Sequence, residues 1–143
     1  MKRWQLLAMA AAVLVAGGLI TMGREAQGSG KKENRVFEMR TYYAEPGKME
    51  ALHARFRNHT NKLFEKHGMT LIGYWSPIDA KEAEKKMIYI LAYPSKAAAE
   101  KSWKAFVNDP EWKRVKAETE RDGKLVAKVE SVYMNPTDYS PIK

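Results

Sequence analysis

The strongest constraint on the fold is the order in which strand-like and helix-like hydrophobic patterns follow one another from Arg35 onward. Alternating apolar residues indicate a strand, whereas apolar residues spaced by three and four indicate a helix. The patterns predict, in order, a strand in VFEMRTYY (36–43), a long helix in KMEALHARFRNHTNKLFEKHG (48–68), strands in MTLIGYW (69–75) and MIYILAY (87–93), a helix in KAAAEKSWKAFVN (96–108), a short helix in EWKRVKAETE (111–120) and a last strand in GKLVAKVESVYM (123–134). This order predicts an α+β, ferredoxin-like βαββαβ domain, with a four-stranded antiparallel sheet and helices on one face.

Helices on one face leave the other face of the sheet uncovered. Alternation along the first strand puts Glu38, Arg40 and Tyr42 on one side. We expect this set, with half of MIYILAY, on the uncovered face. An apolar sheet face marks an interaction surface, so a homodimer through the sheet face is expected. MIYILAY lacks the glycine and the basic residue of an RNA-binding strand, so no nucleic-acid partner is expected.

The long helix has recognisable ends. Pro46 and Gly47 precede its first turn, where a proline is tolerated. His67 falls in the last turn, where a basic side chain complements the helix dipole, and Gly68 follows as a C-cap that accepts positive φ. A structural role for His67 is therefore expected. In the next strand, Gly73 predicts a β-bulge or a close backbone approach.

The first 34 residues are a different kind of segment. Lys2 and Arg3 precede an uncharged run over residues 6–22, which is the layout of an export signal. An uncleaved membrane anchor is the alternative, since a run of this length at about 1.5 Å per residue reaches about 25 Å. We expect a signal or anchor over 1–22, a flexible linker over 23–34 and the folded domain over 35–143. The domain is expected in the periplasm or outside the cell, with membrane contact only through an uncleaved N-terminal segment.

Composition limits the chemistry. The chain has no cysteine, which removes thiolate nucleophiles and thiolate metal ligands. His53, His59 and His67 do not have the four-residue spacing of a helical zinc pair, so no metal site is expected. The formal net charge is +8, but basic residues are interspersed with acidic ones, which is typical of solvated surface rather than of a nucleic-acid footprint.

Five sequence blocks resemble the NIPSNAP family. They are FEMRTYYAEPGKM (37–49), FRNHTNKLFEKHG (56–68), LIGYWSP (71–77), DPEWKRV (109–115) and NPTDYSPIK (135–143), and they span essentially residues 36–142. The resemblance implies a dimeric α/β barrel, in which two ferredoxin-like sheets close face to face. Animal members resemble mitochondrial and vesicle-associated adaptors, and bacterial relatives on the fold include cofactor-free monooxygenases, isomerases and haem-degrading enzymes. A shared fold assigns no reaction, and no cofactor is expected.

His59 is the candidate catalytic residue. It follows Phe56 by three residues and precedes Leu63 by four, so its ring is expected at the helix–sheet boundary. It also matches the histidine of the family's HT block. Such a histidine can act as a base, a proton shuttle or a haem ligand. The equal alternative is a structural histidine bonded to a backbone carbonyl.

The candidate ligand-binding residues are Tyr42, Arg40, Tyr74, Trp75 and Trp103. Tyr74 and Trp75 are adjacent on a strand and therefore point to opposite faces unless a bulge intervenes. Trp103 is expected beneath the second helix, and rings of this size are more often core residues than ligand contacts. Arg40 lies in mid-strand and needs a partner, for which Glu38 is favoured over a carboxylate ligand.

Two functions fit these residues. The first is an exported, dimeric small-molecule-binding or scaffold module of undefined biochemical role, which the lack of a nucleophile, metal cluster or phosphate loop favours. The alternative is a cofactor-free oxygenase or isomerase-like enzyme with a sheet–helix pocket, in which His59 is the acid–base group; the ligand would be small and apolar. A filled helix–sheet layer would favour a scaffold, and an open apolar pocket with His59 at its wall would favour ligand binding.

Overall fold

The structure is a computed structural model and describes residues 35–143. The expected signal or anchor and the linker lie outside the described residues. The elements are β1 (Val36–Ala44), α1 (Met49–Arg55), a π-helical segment (Phe56–Thr60), α2 (Asn61–Lys66), β2 (Thr70–Trp75), α3 (Ala80–Ala83), β3 (Lys86–Tyr93), α4 (Lys96–Asn108), α5 (Pro110–Thr119) and β4 (Val126–Met134). None of the helices in this part of the chain is long and apolar enough to cross a membrane.

The four strands form one antiparallel sheet in the order β2-β3-β1-β4. The two strands that flank the first helix, β1 and β2, are separated by β3, as the split βαββαβ arrangement requires. The predicted α+β, ferredoxin-like fold is therefore confirmed. Closure of two such sheets into a dimeric barrel stays a prediction.

The helices cover the face of the sheet opposite to the one predicted. The buried β3 side chains beneath the helices are Met87, Tyr89, Leu91 and Tyr93. Glu38, Arg40 and Tyr42 pair directly with three of them, and opposed residues share a sheet face. The expectation that Arg40 and Tyr42 lie on the uncovered face is thus wrong. On the inward side, Glu38 accepts hydrogen bonds from Arg40, Tyr93 and Ser131 of the sheet and from Trp103 of α4.

The uncovered side, called the open face below, carries the alternate residues of each strand. Its apolar members are Phe37, Met39, Ile72, Trp75, Ile88, Ile90, Val132 and Met134. Trp75 and Val132 are 50% and 49% exposed, whereas Phe37 is buried under the segment that follows β4. This segment, residues 135–143, is held to β1 by Arg35, whose Nε donates to the Lys143 carbonyl at 2.8 Å.

The predicted long helix is interrupted by the π-helical segment Phe56–Thr60. The N–H of the residue that follows this segment, Asn61, donates to the Phe56 carbonyl. A π segment inserts a residue and rotates the helix face that follows it. Leu52 is buried before this segment, Phe56 and Thr60 are buried at its two ends, and Leu63 is buried after it. Thr60 thus occupies the inward position at which an uninterrupted helix would have placed His59.

Two predicted local features are confirmed. Gly68 has φ +78° after α2, and the register of β2 against β3 shifts between Leu71 and Gly73, which is a β-bulge. Gly73 is also a close approach, because a Cβ there would lie 2.7 Å from the Trp75 ring. The connection between β2 and β3 contains a short helix, α3, capped by Asp79, which accepts from the Glu82 N–H at 3.0 Å.

Candidate functional site

A buried carboxylate organises the layer between the sheet and α4. Glu38 is fully buried, and its oxygens accept hydrogen bonds from Tyr93 (2.8 Å), Trp103 (2.7 Å), Ser131 (2.6 Å) and Arg40 (2.6 Å). Burial by itself raises the pKa of a carboxyl, but these hydrogen bonds and the Arg40 charge outweigh it and lower the pKa of Glu38. Glu38 is therefore ionised at neutral pH, and the predicted ion pair with Arg40 is confirmed.

Aromatic rings fill the rest of this layer. Tyr89 is at its centre, stacked on Tyr74 at 5.3 Å between ring centroids and edge-on to Tyr42 at 5.2 Å. The Arg40 guanidinium lies 4.1 Å from the centroid of the Trp103 ring. The layer thus brings together four of the predicted ligand-binding residues: Arg40, Tyr42, Tyr74 and Trp103. Tyr89 lies between Tyr42 and Tyr74, and Arg40 lies over Trp103.

Two hydroxyl groups in this layer have no hydrogen-bond partner within residues 35–143, those of Tyr74 and Tyr89. Burial raises the pKa of both phenols, so they stay protonated at neutral pH. Unpaired buried hydroxyl groups are unfavourable for stability. In the structure, the rings pack closely around them.

The structure does not bring His59 or Trp75 to this cluster. His59 is partly exposed and lines a groove of about 220 Å³ with Arg55, Asn58 and Thr119, on the side of the helix that faces α5. The His59 ring was expected at the helix–sheet boundary. The π segment rotates the helix, so that residue 59 faces away from the sheet. Trp75 lies on the open face, on the other side of the sheet from Tyr74.

An apolar pocket of about 270 Å³ opens on the open face. Each strand contributes one side chain to its floor: Phe37 from β1, Ile72 from β2, Ile90 from β3 and Met134 from β4. The segment after β4 forms the wall with Pro136, Thr137, Ser140 and Ile142. The pocket adjoins the β-bulge, because the inserted residue of that bulge, Ile72, is part of the floor.

A further groove, of about 310 Å³, lies beside Arg55 and Trp112, between α1, α5 and the start of β4. It is separate from the open face, since Tyr42 and Val129 contribute to it from the helix-covered side of the sheet. Among residues 35–143, no group of three or more histidine, aspartate or glutamate side chains is placed to hold a metal ion.

Sequence reasoning missed the residues that define these features. Glu38 was assigned only as a partner for Arg40, although a carboxylate in the middle of an apolar strand is itself a signal of a buried polar network. Arg55 was not singled out, yet it falls three residues after Leu52 and therefore on the inward stripe of the helix. The proline-punctuated segment 135–143 carried no pattern that indicates a pocket wall.

Comparison with known proteins supports one family. The model of the NIPSNAP family matches residues 37–141. Solved structures similar to the chain include a NIPSNAP family protein of unknown function from Agrobacterium tumefaciens (22% identity over 78% of this chain and 96% of that chain, TM-score 0.66) and a second one from the same organism (24%, 76% and 99%, TM-score 0.63). An uncharacterised NIPSNAP domain protein from Burkholderia xenovorans is also similar (19%, 74% and 98%, TM-score 0.62).

At these identities the structural likeness shows the fold alone. No curated protein matches the chain. The family model spans most of the chain and confirms the resemblance of the five sequence blocks. The chain belongs to the NIPSNAP family.

Proposed function

We propose that the protein is a homodimeric small-molecule-binding module, which pairs through the open face and holds a small apolar ligand in the pocket beneath residues 135–143. The observation that carries the proposal is the pocket itself. Its floor comes from all four strands, and its wall is a segment tied back to β1 through Arg35. Ligand pockets in proteins are typically concave and lined by apolar side chains, with few polar groups.

The chemistry of the lining supports an apolar ligand. Phe37, Ile72, Ile90 and Met134 offer no hydrogen-bonding side chain, and Met134 is a flexible side chain that adapts to irregular shapes. The polar groups at the rim are Asn135, Thr137 and Ser140. A volume of about 270 Å³ is just below the usual range for ligand pockets, which favours a small ligand.

The surroundings of the pocket support a second copy as the partner. Trp75 and Val132, two of the apolar side chains of the open face, leave half of their surface exposed. The end of the face away from the pocket is charged: Lys128 pairs with Glu130 at 2.6 Å, and the Tyr43 hydroxyl donates to Glu130 at 3.0 Å. An apolar centre with a polar rim is the usual composition of a protein–protein interface.

The enzyme alternative requires His59 at the wall of an apolar sheet–helix pocket. The groove beside His59 is lined by Arg55, Asn58, Thr119 and two alanines, and the sheet–helix layer is filled by rings. His59 is thus at the wall of a groove between the first helix and α5, and not at the wall of a sheet–helix pocket. The binding module is therefore the function that the geometry favours.

The proposal includes a location outside the cytoplasm. It rests on the sequence of residues 1–22, in which Lys2 and Arg3 precede the uncharged run. Recovery of the protein in the periplasmic or secreted fraction of its own cells would support this location, and recovery in the cytosol would contradict it.

Toluene titration followed by methyl NMR tests the ligand pocket. Saturable shifts are expected for the methyl groups of Ile72, Ile90 and Met134, with a Kd of about 1 mM, because a ligand of this size gains little binding energy. Ile78, which is fully exposed, is the control isoleucine and should not shift. Equal shifts at Ile78 and Ile90, or shifts that grow without saturation, would contradict an apolar pocket on the open face.

A further inference from the structure

The groove beside Arg55 and Trp112 has features of a second binding site, independent of the open face. Arg55 is the last residue of α1, its side chain is only 4% exposed, and its Nη1 donates to Glu120 Oε1 at 3.0 Å. The guanidinium carbon lies 5.2 Å from the centroid of the Trp112 ring. The ring and the carboxylate hold the guanidinium at the wall of the groove.

Glu120 uses only part of the hydrogen-bonding capacity of Arg55. A guanidinium has five N–H donors, and the Nε–H of Arg55 is buried without a partner in the described part of the chain. A buried charged donor without an acceptor is unfavourable. Within residues 35–143, Glu120 is the acceptor for this guanidinium, so its hydrogen bonding remains incomplete.

The charges that line the groove favour an anion. Lys116 and Lys124 join Arg55 against the single carboxylate of Glu120, so three positive charges face one negative charge. The remaining walls are apolar or aromatic, formed chiefly by Trp112 and Val129. A free inorganic anion would leave these apolar walls without a contact.

We propose that this groove binds a small carboxylic acid with an apolar or aromatic body. The carboxylate lies against Arg55, Lys116 and Lys124, and the body packs on Trp112 and Val129. A planar guanidinium matches the geometry of a carboxylate, and the lysines add charge at the more exposed side. The volume of about 310 Å³ holds a molecule of the size of phenylacetate.

The backbone beside Arg55 supports a functional role for this place. The π-helical segment begins at the next residue, and the Thr60 hydroxyl donates to the Arg55 carbonyl at 3.3 Å. π insertions in helices are found frequently at functional sites. Arg55 also lines the smaller groove that contains His59, so the two grooves meet at its side chain.

Binding of phenylacetate to the full chain, measured by calorimetry and by the NMR shift of the Trp112 indole N–H, tests the proposal. We expect saturable binding with a Kd of about 1 mM. The uncharged analogue 2-phenylethanol should bind about tenfold more weakly, because it cannot pair with the cations. Inorganic phosphate should leave the Trp112 resonance unchanged.

Lysine variants distinguish a ligand site from a structural arginine. Replacing both groove lysines, Lys116→Gln with Lys124→Gln, should weaken phenylacetate binding by about tenfold and leave the melting temperature nearly unchanged, since both are exposed. Lys113 is exposed on α5, the helix that carries Lys116, but does not line the groove. Lys113→Gln should therefore have no effect on phenylacetate binding. Failure of phenylacetate to saturate, equal affinity for 2-phenylethanol, an equal Trp112 shift with phosphate, or equal weakening by Lys113→Gln would each overturn the proposal.

Discussion

The Glu38 carboxylate accepts hydrogen bonds from side chains on four different strands and helices. Arg40 is its neighbour on β1, Tyr93 comes from β3, Trp103 from α4 and Ser131 from β4. A buried carboxylate is stable only when it is paired and hydrogen-bonded in this way. Glu38 thereby determines which side of β1 faces the helices, and with it which residues remain for the open face.

Replacing Glu38 tests this role. Glu38→Gln keeps the shape of the side chain but removes the charge, so Arg40 loses its ionic partner. The glutamine amide group also places an N–H donor opposite one of the donors that now bond to Glu38, and that hydrogen bond is lost. We expect the free energy of unfolding at neutral pH to fall by about 3 kcal/mol, as is typical when one partner of a buried ion pair is removed. Chemical denaturation measures this change. Glu130→Gln, at an exposed ion pair of β4, is the matched control and should have little effect.

The same variant should also change the pH dependence of stability. The pKa of Glu38 is lowered in the folded protein, so its contribution is fully present above the ordinary carboxyl pKa of 4.5 and is lost as the pH falls through the lower folded value. Wild type should therefore lose stability below about pH 4.5 more steeply than Glu38→Gln. Parallel acid profiles for the two proteins would contradict an ionised Glu38.

In the first long helix, a single backbone irregularity, the π segment Phe56–Thr60, changes which side chain faces the sheet. His59 follows Leu52 by seven residues, almost two turns, so a regular helix places both on the same face. The π segment shifts that face, and Thr60 is buried in its place at 2% exposure. Residue spacing predicted the helix and its end at His67 and Gly68. It could not predict the insertion, because π segments have no periodicity of their own.

The end of this helix is tied to the start of α5. His67 Nε2 lies 2.7 Å from Asp109 Oδ2, and Asp109 is also the N-cap of α5, accepting from the Glu111 N–H at 2.8 Å. Hydrogen bonds from Lys66 and His67 hold the pKa of Asp109 well below its usual range. The structural role predicted for His67 is thus larger than a contact with the helix dipole.

His67→Ala should lower the melting temperature by roughly 5 °C, since it removes a charge-assisted hydrogen bond at a helix junction. His59→Ala is the matched control, because His59 is partly exposed and makes no side-chain hydrogen bond within residues 35–143. It should change the melting temperature by much less. Thermal unfolding by circular dichroism compares the two, and a larger loss for His59→Ala would show that the junction does not carry this stability.

At the scale of the whole molecule, element order predicted the sheet but not its orientation. The sequence alternation of β1 separates Phe37 and Met39 from Glu38 and Arg40, and simple hydrophobicity favours burying the first pair under the helices. The structure does the reverse, because donors that lie 55 to 93 residues away in the chain converge on Glu38. Such long-range hydrogen bonding is invisible to local patterns. The open-face pocket escaped prediction for the same reason, since its wall is folded back from residues 135–143.

The open face thus carries apolar side chains that none of the helices in residues 35–143 covers, and a second sheet is the partner that we propose for it. Val132 and Val107 allow a matched comparison, because each is 49% exposed, Val132 on the open face and Val107 on α4. Arginine at residue 132 would place a charge in the middle of the sheet-to-sheet contact, where desolvation is unfavourable. Arginine at residue 107 would remain in solvent.

Sedimentation equilibrium at micromolar concentration is the most direct measurement of this central claim. Wild type and Val107→Arg should both sediment at twice the monomer mass, and Val132→Arg should sediment as a monomer with the circular dichroism spectrum of a folded protein. A monomeric wild type, or a Val132→Arg variant that remains as dimeric as Val107→Arg, would contradict pairing through the open face.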